Sequence, residues 1–266
     1  MLATRRGLAA VLAAALTLTA AAPAAAQPGA EPLQTGFAKL ASTIPATVGI
    51  AFAPVGQSRV AALGTWSSGV AWSTIKVPLA IAALRTNRPN ARALAAQAIT
   101  ASDNGAAEQL WSELGPPAVA AQQVQAVLRE GGDGGTVVES RRLRPGFTAF
   151  GQTQWPLARQ AQFAAHLPCI AGAGPVINLM SNIVGSQRWG LAGGGAPAKG
   201  GWGPGPAGGH LVRQFGVVST PTGQLGVALA AEPRDGTFES GVRALNQMAD
   251  WTAKQVRQLP GGRCSG

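Results

Sequence analysis

From Ala71 to Leu84 the chain reads AWSTIKVPLAIAAL, a run fit for a buried helix that nevertheless carries a serine, Ser73, and a lysine, Lys76, three residues apart at its start. A helix that is hydrophobic all round is a buried one. Upstream, the β-branched, proline-flanked run Ala46–Ala53 predicts a first strand, led into by Pro32–Leu40, with Arg59–Gly64 as its hairpin partner. Apolar positions at helical spacing predict helices over Arg92–Thr100, Ala106–Leu114 and Ala118–Arg129. Glycines between Gly131 and Gly135 break that pattern. Thr136–Ser140 then reads as extended, and an irregular stretch runs to Gln154. Trp155-Pro156 predicts the start of a helix to Leu167, with proline in its favoured first turn, and another helix covers Pro175–Val184. After the Gly/Pro-rich passage Gly190–Gly209, two strands, Leu211–Thr220 and Gln224–Glu232, turn about Pro221–Gly223. Phe238–Leu259 predicts an amphipathic closing helix. Strands at both ends with helices between them imply an α/β fold in which N- and C-terminal strands meet in one sheet, flanked by the terminal helices.

Composition changes the setting. Arg5 and Arg6 precede an Ala/Leu-rich run from Leu8 to Ala22, and Ala24-Ala25-Ala26 offers a small-residue cleavage site. Residues 1–26 therefore predict a secretory signal. The run is too short and alanine-rich for a membrane span, so the mature chain is expected without one, in a secreted or periplasmic, cell-wall space. About 240 residues remain, enough for one sizeable core. The expected organisation is a flexible tail over 27–34, one domain over 35–259 and a C-terminal tail over 260–266. The formal charge of +10 falls by two when Arg5 and Arg6 are lost, and the arginines are scattered. With no basic block, nucleic acid is not an expected partner; anionic cell-wall polymers or acidic substrates suit the charge better. Two cysteines, Cys169 and Cys264, leave a bridge or two free thiols, and an oxidising compartment favours the bridge.

Candidate chemistry lies in three places. On a helix, positions i and i+3 share a face, so Ser73 and Lys76 would set a hydroxyl beside an amine. A serine becomes a nucleophile when a neighbour accepts its proton, and a desolvated lysine can be neutral enough to do so. The second place is Ser102-Asp103-Asn104, which interrupts apolar helical text; the third is Ala198-Lys-Gly-Gly-Trp-Gly203 before the last two strands. Taken singly, these read as a helix cap with a solvated lysine, a second cap and a glycine loop. Together they fall in a definite order.

In that order, S-x-x-K, S-D-N and K-G-G, the chain resembles the class A β-lactamase and penicillin-binding-protein (serine D,D-peptidase) superfamily, as a divergent member, from about Thr47 to Gln255. The resemblance implies a β-lactamase/transpeptidase-like fold with an all-helical lobe beside the sheet. It makes Ser73 the acylated nucleophile and Lys76 its proton acceptor or relay. Ser102 would pass a proton to the leaving nitrogen, with Lys199 supplying positive charge beside it. Asn104 would hold the substrate's amide. Gly201 and Trp202 would line the substrate strand, the backbone N–H groups of Ser73 and Trp202 forming the oxyanion hole. Arg213 would meet a substrate carboxylate.

Three departures qualify the reaction. Glycine stands at position 200 where the family has Thr or Ser. Ser102 follows Ser73 at about half the usual class A interval, which implies a reduced helical lobe. The family's E-x-x-L-N loop has no clear counterpart, leaving Glu139 as the candidate deacylating base, without a matching asparagine.

A Ser-His-Asp hydrolase is disfavoured, since no G-x-S-x-G occurs and His166 and His210 are the only histidines. The absence of tyrosine removes relatives with Y-x-N in the second motif. The glycine clusters lack a phosphate-loop ending, and no His/Cys ligand set is present. The expectation is an exported, monomeric serine hydrolase needing no cofactor or metal, acting on a β-lactam or a D-Ala-terminated peptidoglycan peptide, with slow deacylation. The alternative is a degenerate, non-catalytic binder of cell-wall peptide.

Overall fold

The computed structural model describes residues 30–205 and 208–265, so the expected signal segment lies outside the described residues. Five antiparallel strands form the main sheet: β1 (Ala46–Pro54), β2 (Ala61–Gly64), β5 (Ala198–Pro204), β6 (His210–Thr220) and β7 (Gly223–Pro233), in the order β2-β1-β7-β6-β5. The N- and C-terminal strands meet as expected, with Ile50 opposite Leu229. A second, two-stranded sheet pairs β3 (Ser68–Val70) with β4 (Gln154–Pro156).

The strands' alternation divides the core. Val48, Ile50, Phe52, Val227 and Leu229 face α1 (Ala30–Thr43) and α8 (Phe238–Gln255), where Phe37, Leu245 and Trp251 complete one cluster. The opposite face carries small residues, Gly49, Ala51, Gly226, Ala228 and Ala230, against which α6 (Leu157–His166) packs closely. Beyond α6 lies the helical lobe: α2 (Lys76–Leu84), α3 (Ala91–Thr100), α4 (Asn104–Glu113), α5 (Pro117–Glu130) and α7 (Gly174–Ser181). From Val77 to Ala83 every residue of α2 is buried, as its unbroken apolar text required, and Lys76 at its start is buried with them.

Several expectations are corrected. The glycine passage contains β5, an edge strand. Trp155 and Pro156 belong to β4, and α6 starts after them. Thr136–Ser140 pairs with no strand; its backbone is held by side chains, Gln125 Oε1 accepting from Val138 and Thr153 Oγ1 from Glu139. Helix α1 begins at Ala30, within the segment expected as a tail. Cys169 and Cys264 are joined by a disulfide, and Gly262 pairs with Gln224, fastening the C-terminal segment to the sheet. Among the described residues no single helix is long and apolar enough to cross a membrane.

Candidate functional site

Strand β3 leads through Ala71 into a 3-10 turn, Trp72–Ile75, which continues directly as α2. Two contacts fix this turn: Thr74 Oγ1 donates to Ala71 O, and Gln160 Nε2 donates to Thr74 Oγ1. Trp72 takes a left-handed φ of 50°, a costly conformation for a bulky residue, which turns the chain so that Ser73 faces a cleft. Gly201 of edge strand β5 lies directly against this turn. A Cβ at 201 would stand 2.8 Å from Ser73 N, so the close approach of the strand to the Ser73 backbone requires glycine there.

Lys76 is 1% exposed, one turn beyond Ser73. Its Nζ donates to Asn104 Oδ1 at 2.7 Å and to Ser102 O, and lies 3.4 Å from Ser102 Oγ. Burial depresses its pKa to about 7, with Asp103 opposing the shift. A neutral amine has two N–H bonds, which match the two short contacts, and keeps a lone pair. Ser73 Oγ makes no hydrogen bond among the described residues. Ser102 has φ 60°, again left-handed, and this conformation presents both its carbonyl and its hydroxyl to the buried amines. Asp103 caps α4 by accepting from Ala106 N, so the S-D-N motif is a helix cap as well as a wall of the cleft.

From the sheet side, Lys199 Nζ donates to Ser102 Oγ and to Gly200 O, both at 2.8 Å. Burial pushes its pKa well down, with the neighbouring Lys76 charge acting in the same direction. Gly200 carries no side chain because the Trp189 ring fills the space: a Cβ there would stand 2.4 Å from it.

The cleft, of about 230 Å³, is lined by Trp72, Ser73, Lys76, Ala101, Ser102, Asn104, Gly146, Phe147, Thr148, Gln187 and Trp202. Of the residues singled out from sequence, Ser73, Lys76, Ser102, Asn104 and Trp202 thus share one cleft, with Lys199 and Gly201 packed against its members. Glu139 and Arg213 do not line it. The Glu139 carboxylate accepts from Arg141 Nε at 3.1 Å and from the Arg141 backbone, and these bonds hold its pKa below the usual carboxylate range. Arg213 is 0% exposed: it donates to Gly69 O, Val70 O, Trp155 O and Gln160 Oε1 at 2.9 to 3.0 Å. It ties the small sheet and α6 to the main sheet. Through Gln160 it reaches Thr74, beside Ser73, so it is a strut beneath the site and not a ligand group in it. Phe147, Thr148 and Gln187 were missed in the sequence, since they sit in segments without periodicity or motif. Gln187 is 8% exposed, and its Oε1 is buried without a partner among the described residues. Among the described residues no cluster of three metal-ligating side chains occurs.

No protein-family model matches the chain, and no curated protein matches it in sequence. Solved structures do match in shape. The TLA-3 extended-spectrum β-lactamase shares 15% identity at a TM-score of 0.64, covering 84% of this chain and 99% of its own. A class A β-lactamase from Mycobacterium abscessus shares 14% at 0.60, covering 83% and 99%. A β-lactamase from Desulfarculus baarsii shares 20% at 0.57, covering 85% and 98%. The fold is that of the class A β-lactamases, its sequence far diverged from theirs.

Proposed function

We propose that this chain is an exported serine hydrolase of the class A β-lactamase and penicillin-binding superfamily. It acts through a Ser73 acyl-enzyme on a β-lactam or a D-Ala-terminated cell-wall peptide, and deacylates slowly. The observation that carries the reading is the pair of buried amines around Ser102 in the cleft that holds Ser73, with Lys76 titrating near neutrality.

In this reading, neutral Lys76 takes the Ser73 hydroxyl proton as Oγ bonds to the carbonyl carbon. The oxyanion so formed is stabilised by the N–H groups of Ser73 and Trp202, each such donor contributing about 3 kcal/mol to the transition state. The C–N bond then breaks, the nitrogen takes the Ser102 hydroxyl proton, and that proton is replaced from Lys76. The ester that remains needs a base to activate water, and no carboxylate is among the residues lining the cleft. Slow deacylation follows. A non-catalytic peptide binder is the second reading; the Trp189 ring beside Gly200, where a hydroxyl would be expected, favours it.

The test is intact-protein mass spectrometry after exposure to a penicillin, a cephalosporin and a D-Ala-D-Ala peptide. A covalent adduct on Ser73, absent in Ser73→Ala, is expected from at least one of them. No adduct from any of the three favours the binder, and an adduct surviving in Ser73→Ala ends the nucleophile assignment.

A further inference from the structure

Arg144 lies in the irregular segment between α5 and β4, whose Gly146, Phe147 and Thr148 form one side of the cleft. Its guanidinium stands over two cleft-lining rings, 5.0 Å from that of Trp72 and 5.2 Å from that of Phe147. Nη1 donates to Pro204 O, at the end of β5, at 3.2 Å. Its other N–H groups have no acceptor among the described residues. The neighbouring arginines differ: Arg141 is engaged by Glu139 and Arg142 by Glu108. Arg144 is therefore the one guanidinium of this segment without a carboxylate partner among the described residues. The two rings and the bond to Pro204 O hold the guanidinium in place, so less freedom is lost when an anion binds its remaining N–H groups.

The cleft also has a direction. Lys199 and Ser102 lie at the beginning of β5, and Trp202, Pro204 and Arg144 at its end. If Ser102 hands its proton to the leaving nitrogen, the leaving group lies at the first end. The acyl portion then runs along β5 toward the second. From this arrangement, and resting on the acyl-enzyme reading above, we infer that Arg144 selects substrates whose acyl portion carries a free carboxylate, held at the Pro204 end of the cleft.

The test uses two D-alanyl thioesters that differ at one group. One is N-glutaryl, ending in a carboxylate; the other is N-glutaramoyl, ending in the primary amide. Adduct formation on Ser73 is followed by mass spectrometry at sub-saturating probe. The wild-type protein should be acylated about fivefold faster by the carboxylate, as for a partly screened ion pair, and added salt should shrink that advantage. In Arg144→Gln the ratio of the two rates should fall to about one, and Arg144→Lys should keep part of it. Equal rates in the wild type, or a ratio that survives Arg144→Gln, overturn the inference and leave the acyl-enzyme reading standing. No adduct with either probe overturns the inference alone; the acyl-enzyme reading falls only if penicillin and cephalosporin also leave Ser73 unmodified.

Discussion

Lys199 Nζ donates to Ser102 Oγ at 2.8 Å, joining an edge strand to the residue before the α4 cap, 97 residues earlier in the chain, and Lys76 Nζ approaches the same hydroxyl to 3.4 Å. Two buried amines around one hydroxyl, in a cleft whose lining has no carboxylate, cannot both be charged at neutral pH without large cost. Lys199 is pushed down the further of the two, and burial brings Lys76 to about 7, so a substantial share of Lys76 is neutral at that pH. That is the state a general base needs.

The pH dependence follows. Lys76 titrates near 7 in the folded chain because burial penalises its charge. Acylation of Ser73 should rise with pH through an inflection near 7 and level off above it. Lys76→Ala should lose that limb and slow acylation by about 10²–10⁴-fold. Stability moves in the same direction: from about 7 to the ordinary 10.5 the unfolded chain binds the proton and the folded chain does not, so stability rises with pH across that window. Rapid-quench acylation rates from about pH 5 to 9 check this, and a flat wild-type profile would remove Lys76 as the base.

Arg213 should behave as a structural residue. Arg213→Ala removes the donor shared by Gly69 O, Val70 O, Trp155 O and Gln160 Oε1 in the core, and should cost about 3–5 kcal/mol in a denaturant titration. If stability were unchanged while carboxylate-bearing substrates alone lost affinity, Arg213 would be a ligand group after all.

The helices and paired strands were legible in the sequence where periodicity carried them. Helix α2 shows through its unbroken apolar run, and β6 and β7 through β-branched text around a tight turn. Strand β5 was not legible, because an edge strand that presses glycines against Trp189 and Ser73 carries no alternating pattern. The site's charged groups divide similarly. Lys76 and Lys199 stand out as two of four lysines. The burial of Arg213 depends on β3 and β4, short strands distant in sequence that pair only in the folded chain. The segment holding Phe147 and Thr148 has neither periodicity nor motif, so its seat in the cleft wall is decided by side-chain anchors such as Arg142 to Glu108.

The Cys169–Cys264 bridge closes a loop of 95 residues. In the chain-entropy model such a closure contributes about 4–5 kcal/mol. Reduction, or replacement of both cysteines by alanine, should lower the unfolding midpoint accordingly. An unchanged midpoint would mean that the C-terminal segment frays independently of the core.

The lifetime of the acyl-enzyme separates a β-lactamase from a penicillin-binding protein. Hydrolysis of the ester requires water held and deprotonated at its open face, and the residues lining the cleft offer no carboxylate for that task. Glu139, the candidate from sequence, is bound to Arg141, which keeps it ionised but turned to another partner. A penicillin adduct on Ser73 should accordingly persist, and Glu139→Gln, which keeps size and removes basicity, should leave its lifetime within about twofold of the wild type. Pulse-chase mass spectrometry reads this directly. If the wild type instead clears the adduct rapidly and Glu139→Gln accumulates it, then Glu139 swings away from Arg141 to act as the base. Rapid clearance in both proteins would point to another group, with Thr148 and Gln187 of the cleft wall the first to replace.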